Sequence, residues 1–163
     1  MDIKIRHFEK GDLEAFKAII EQPSCYRETM QQPYQSFEAL EKRFQAIPGE
    51  YYSFVALIDE QIVGHSGIKT ESNPRRKHVA EIGMIVHEEY RKKGVGKALL
   101  GAMIEMSDRW LSIKRIELEV YTDNEAAISL YQKFGFEIEG TCRAFAFRDG
   151  VYTDAYSMAR IRM

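Results

Sequence analysis

Apolar and polar positions alternate at a two-residue period over Ile3–Phe8, the pattern of a half-buried strand. The period then changes. Leu13, Phe16, Ile19 and Ile20 recur at helical spacing, so Leu13–Glu21 is predicted as a helix, with Asp12 as its cap and Pro23 as its stop. Ser24–Gln35 mixes polar and aromatic residues around Pro33 and reads as a loop. Ser36 is placed to cap a second helix over Phe37–Ala46, ending near Pro48-Gly49. Two strands follow, Tyr52–Ile58 and Gln61–Thr70, joined at Asp59-Glu60. Asn73-Pro74-Arg75 makes a turn before a central apolar strand, His78–Val86. Gly94–Trp110 carries Val95, Leu99, Ala102, Met103, Met106 and Trp110 on one helical stripe. Arg115–Val120 is predicted as a strand and Glu125–Phe134 as a helix. Phe136–Phe147 and Tyr152–Arg160 flank Asp149-Gly150, a strong hairpin signal. Strands first, then strand and helix in alternation, predict an α/β (α+β) fold: a mixed sheet with helices on both faces. No repeat or linker divides the chain, so residues 1–163 are expected to form one domain.

The densest chemistry lies between the central strand and the third helix. Arg91-Lys92-Lys93-Gly94-Val95-Gly96-Lys97 places four cations and two glycines at a helix start. The first N–H groups of a helix have no internal partner, and the helix dipole favours an anion there. Glycines without Cβ let that anion approach the main chain. The segment therefore reads as a phosphate or pyrophosphate cradle, set against the plainer reading of a solvated basic turn. It is not a P-loop, because Lys97 is followed by Ala98 and no earlier Gly has the required spacing. The dinucleotide fingerprint fails at its last position, Leu99, although Glu117 and Glu119 lie at a distance suited to a ribose-binding acid.

A second block decides between these. Met84-Ile-Val-His87 followed by R-x-x-G-x-G-x-A-L resembles the acyl-CoA-binding signature of the GCN5-related N-acetyltransferase (GNAT) superfamily. Tyr121-Thr-Asp-Asn124-Glu-Ala-Ala-Ile-Ser-Leu-Tyr131-Gln-Lys-Phe-Gly135-Phe136 is similar to the second conserved block of that superfamily, at the expected distance. The tail Glu137–Arg160 further resembles bacterial members that act on L-amino acids. The resemblance implies the GNAT fold: a central, mostly antiparallel twisted sheet of about seven strands, with about four helices on both faces. It implies acetyl transfer from acetyl-CoA to a primary amine by direct attack in a ternary complex, with no metal.

Roles are assigned through the matched positions. Arg91, Lys92, Lys93, Gly94, Val95, Gly96 and Lys97 would hold the pyrophosphate. Met84, Ile85 and Val86 would pair with the pantetheine amides as an added strand, beside a splay or a bulge at Gly83. A main-chain N–H near Met84 or Ile85 would polarise the thioester carbonyl. Glu81 is the candidate general base, on the expectation that burial raises its pKa; the alternative is a solvent-facing or ion-paired Glu. Tyr131 is the candidate acid toward the CoA thiolate, the alternative being a helix Tyr packed on the sheet. Asn124 is matched to a pantetheine ligand and is equally suited to capping a helix.

The acceptor is expected opposite CoA, with Tyr26, Arg27 and Thr29 on one side and Tyr152 on the other. An Arg there could clamp a carboxylate, which suits a free amino acid. Polyamines, amine antibiotics, protein N-termini and a non-catalytic acyl-CoA-binding module are the alternatives. A net charge of −2 argues against a nucleic-acid partner. Cys25 and Cys142 form no metal pattern or disulfide framework. With no secretory segment and no apolar run of membrane length, the cytoplasm is the expected location and no membrane partner is expected. The long hairpin and open sheet edge are compatible with a homodimer.

Overall fold

The computed structural model describes residues 2–45 and 50–163. Seven strands form one sheet in the order β1-β2-β3-β4-β5-β7-β6. They are β1 (Lys4–His7), β2 (Tyr51–Ile58), β3 (Gln61–Thr70), β4 (Val79–Val86), β5 (Arg115–Tyr121), β6 (Glu137–Arg148) and β7 (Val151–Ile161). Every pairing is antiparallel except β4 with β5. That parallel pair needs a crossover, which the helix α4 (Val95–Arg109) supplies. The remaining helices are α1 (Leu13–Ile20), α2 (Pro23–Arg27), α3 (Phe37–Gln45) and α5 (Glu125–Lys133).

The helices cover the two faces as the pattern requires. Leu100 and Met103 of α4, with Tyr131 of α5, pack on Ile68, Ile82, Ile116 and Met158. On the other face, Leu13, Phe16, Ile19 and Ile20 of α1 and Leu40 of α3 close over Ile85. The approach of α4 to the sheet is set by Gly64. A Cβ there would meet Leu99 and Val95 side chains at 3.0 Å, so a larger residue would push the helix off β3.

Several expectations change. The stretch Ser24–Gln35 is not all loop, because Pro23 opens α2 from its first turn instead of only ending α1. The helix count is therefore five among the described residues. Asp12 does not cap α1 with its side chain. Its carboxylate accepts from Arg6 at 2.7 and 3.0 Å and from the Glu9 N–H at 2.8 Å. Trp110 is 76% exposed, since α4 ends one residue earlier and the chain turns away; Leu100 takes its place in the core. Ser36 does cap α3, accepting from the Ala39 N–H at 3.1 Å. Ala46 and the Pro48-Gly49 turn lie outside the described residues. Asp149 and Gly150 both adopt positive φ, as a two-residue hairpin turn requires.

One irregularity opens the sheet. β4 pairs with β5 only over Val79–Glu81 against Arg115–Glu117. Beyond that, the strands part, while β4 stays paired to β3 as far as Val86↔Gly64. No register shift occurs at Gly83, which faces Gly67 directly; the opening is a splay between β4 and β5, not a bulge at Gly83. The edge of β4 from Ile82 to Val86 is thus left without a strand partner on its β5 side.

Candidate active site

The splay opens into a cleft of about 880 Å³. Its walls come from the free edge of β4, the turn before α4, and the first turns of α5. Of the residues expected to hold a cofactor, Met84, Ile85, Val86, Arg91, Lys92, Gly94, Gly96, Lys97 and Asn124 line it. Val95 is buried in the core and Lys93 reaches back over the Tyr90 ring at 5.2 Å; neither lines the cleft.

The basic turn is shaped by its backbone. Lys92 and Gly94 both have positive φ, 62° and 89°, and this reverses the chain into α4. The N–H groups of the first helical turn have no intrahelical partners, and Gly94, Gly96 and Lys97 of this turn line the cleft. Gly96 has a different reason from the one expected. A Cβ there would lie 3.3 Å from Leu130 and 3.6 Å from Met84, so this glycine lets α4 approach α5. Arg91 is drawn inward. It donates to the Val86 carbonyl at 3.4 Å and to Cys25 Sγ at 3.3 Å, tying the turn to α2.

Tyr131 lines the cleft floor and is otherwise buried, 5.7 Å from the Phe136 ring centroid. Burial pushes its phenol up to about 12, so it stays a neutral O–H donor at physiological pH. Asn124 caps α5, its side-chain oxygen accepting from the Ala127 N–H at 3.2 Å. Its amide nitrogen has no partner among the described residues.

Glu81 lines the cleft but is exposed, contrary to the expectation of burial, because β4 begins to part from β5 at this residue. Glu119 lies on β5 in the same cleft, and its carboxyl is held above the usual range, first by desolvation, then by the charges of Glu81 and Glu117. Glu81 and Glu117 face each other across the parallel ladder. With Glu119 two residues on, three acids share one face of the sheet at the mouth of the splay.

A second cavity, about 340 Å³, lies on the α1 and α3 side of β4. It shares Thr29 and the segment Glu81–Ile85 with the first. Of the residues expected at the acceptor, only Thr29 lines either cavity. Tyr26 does not, Arg27 is turned to Asp149 at 2.8 Å, and Tyr152 is 70% exposed against Phe147 at the hairpin tip.

The chain matches the model of the Acetyltransferase (GNAT) family over residues 16–136. It is 46% identical over 161 residues, 99% of both chains, to the L-amino acid N-acetyltransferase AaaT of Escherichia coli K12. It is 36% identical to an N-alpha-acetyltransferase of Saccharolobus solfataricus, over 66% of this chain and 67% of that one. Among solved structures, spermidine N-acetyltransferase from Vibrio cholerae, in complex with CoA and spermine, superposes with a TM-score of 0.87 at 24% identity, covering 98% and 95% of the two chains. The protein belongs to the GNAT acetyltransferase family. It is an acyltransferase, and the seven-stranded sheet with helices on both faces is the fold of its structural neighbours.

For this GNAT chain, sequence patterns miss Glu119 as a carboxyl of the cleft and the whole second cavity. The spacing Glu117-x-Glu119 is visible, and alternation puts both side chains on one face of β5, but only the splay shows that face to be part of a site. No local signal joins Arg43, Tyr51, His65 and Lys69; the three strand residues meet through the β2–β3 register, and α3 brings Arg43 to them.

Proposed function

We propose that residues 1–163 form one catalytic domain that moves an acetyl group from acetyl-CoA to the α-amine of a free amino acid. The observation that carries this is the meeting of two cavities along Glu81–Ile85, one with the basic turn and one without it. The near-full-length similarity to an L-amino acid N-acetyltransferase supports the acceptor class.

In this proposal the CoA pyrophosphate sits on the first N–H groups of α4, with Arg91, Lys92 and Lys97 of the cleft lining supplying positive charge. The pantetheine amides add to the free edge of β4 at Met84 and Val86, and Asn124 donates its amide to the same arm. The N–H of Met84 or Ile85 points at the thioester carbonyl and stabilises the oxyanion that develops there. The amine reaches the thioester from the second cavity past Thr29 and, once deprotonated in the site, attacks the carbonyl carbon. The new C–N bond forms and the C–S bond breaks. The ammonium proton passes to the Glu81–Glu119 pair, directly or through water. Tyr131 donates its proton to the departing thiolate.

Thiol release from acetyl-CoA, measured over free amino acids, polyamines, amine antibiotics and N-terminal peptides, tests this reading. Turnover with amino acids, strongly reduced in Glu119→Gln and Tyr131→Phe, is expected. Turnover confined to polyamines or peptides would replace the acceptor class. Failure to bind CoA would end the assignment.

We also propose a homodimer in the cytoplasm, where acetyl-CoA is available. β6 is the edge strand of the sheet, twelve residues long and almost wholly exposed, with Ile138, Phe145 and Phe147 open to solvent. Such an edge pairs readily with a second copy. Sedimentation equilibrium at twice the monomer mass is expected. No helix among the described residues is long and apolar enough to cross a membrane.

A further inference from the structure

The second cavity has an unusual charge pattern for a site read as binding amines. Its lining holds one carboxylate, Glu81, and two cations, Arg43 and Lys69. His65, also in the lining, adds no charge at neutral pH, because burial pushes it down to about 4. Arg43 projects from α3 and spends Nη1 on the side-chain oxygens of Gln31 and Gln35, at 3.0 and 2.6 Å. Among the described residues, no carboxylate pairs with Arg43 or with Lys69.

The register places Lys69 and Glu81 in a row with Tyr51. Tyr51, Lys69 and Glu81 are successive partners across β2, β3 and β4, so their side chains share one face of the sheet. Lys69 stands beside Glu81 yet makes no ion pair with it. Behind them, Tyr51 lies across Gly67, and Phe16, Ile20 and Phe44 close the apolar side of the cavity.

We infer that this cavity binds the acceptor as a zwitterion, with its ammonium against Glu81, its carboxylate against Arg43 and Lys69, and its side chain on the Phe16–Phe44 wall. The inference rests on the proposed acetyl transfer to a free amino acid and assigns the residues that select one. The amine and carboxylate of an α-amino acid hang from one carbon. A site for it must therefore set a cation next to an anion, as Lys69 is set beside Glu81, with Arg43 in the same lining. A polyamine repeats positive charge along its length and would meet these same cations as repulsion. Arg43 is suited to bidentate contact, and its free nitrogens remain after the two glutamine bonds.

The experiment compares L-alanine, L-valine, L-leucine and L-phenylalanine with their methyl esters, which keep the amine and lose the anion. The ratio of kcat/KM for acid over ester is measured in the wild type, Arg43→Gln and Lys69→Met. A comparison between proteins cancels the ester's more acidic amine. The ratio is expected to fall about 10- to 100-fold in each variant, mainly through KM for the acid. Lys42→Gln, a neighbour outside the cavity, is expected to keep the wild-type ratio. In the wild type, 4-methylpentanoate (leucine without its amine) is expected to inhibit competitively with leucine, and 4-methylpentanamide not to. Unchanged ratios, or equal inhibition by acid and amide, would overturn the inference while leaving amino-acid acetylation intact. A wild type that acetylates spermidine or peptides but none of these acids would overturn the proposed function instead.

Discussion

Tyr51 lies across Gly67 so closely that a Cβ on residue 67 would fall within the Tyr51 phenol. The two are neighbours on β2 and β3, and the missing side chain lets the ring lie flat on the sheet as part of the second cavity. Gly67 has an ordinary backbone conformation, so the demand is one of space alone. Gly67→Ala is expected to push the ring outward into the cavity. Stability should fall by about 1–3 kcal/mol, as overpacking does. KM for the acceptor should rise while CoA binding stays unchanged. Thermal unfolding and acceptor titration check both, and wild-type KM in this variant would show that the ring does not shape the acceptor site.

The two acids at the splay give a pH signature. Desolvation, then the charge of Glu81, holds the Glu119 carboxyl above its ordinary range. A base must be deprotonated, so kcat/KM should rise with pH through that raised value. Glu81→Gln removes a like charge, which lowers the Glu119 value and moves the ascending limb to lower pH. Glu119→Gln should abolish the limb and reduce kcat by about 100-fold. A limb that stays in place in Glu81→Gln would uncouple the two groups.

What the sequence exposes is what local rules encode. The Asp149-Gly150 turn, the cap at Ser36 and the stripe of α1 depend on residues a few positions apart, and all appear as expected. The basic turn is legible for the same reason. Pro23 is ambiguous, since proline both stops one helix and opens the next. The exposure of Glu81 depends on where β5 leaves β4, a long-range fact. The second cavity joins residues from Phe16 to Ile85, so it is set by the register of three strands together with the packing of α1 and α3 over them.

Tyr131 should separate chemistry from folding. Its ring is core, packed on Phe136, while no residue among those described takes its hydroxyl in a hydrogen bond. Tyr131→Phe should therefore keep the melting temperature and lower kcat by about 10- to 100-fold, with little change in KM for acetyl-CoA. The phenol titrates near 12, so no descending limb below that pH should come from it. A variant with full kcat would assign the thiolate's proton to water.

His65 should make the fold sensitive to mild acid. It is buried among Phe8, Phe16 and Phe44, with one ring nitrogen 2.6 Å from Ser53 Oγ. Burial lowers its value to about 4 from 6.5. Between those values the unfolded chain binds a proton that the folded chain refuses. Stability is then full above about pH 6.5 and declines as pH falls toward 4, by about 3 kcal/mol from this group. Replacing it by His65→Gln should cost stability at neutral pH, since the aromatic packing is lost, but flatten the slope between those limits. Urea denaturation at a series of pH values reads both quantities. An unchanged slope in the variant would move the acid sensitivity to other groups and show that His65 is protonated inside the folded protein.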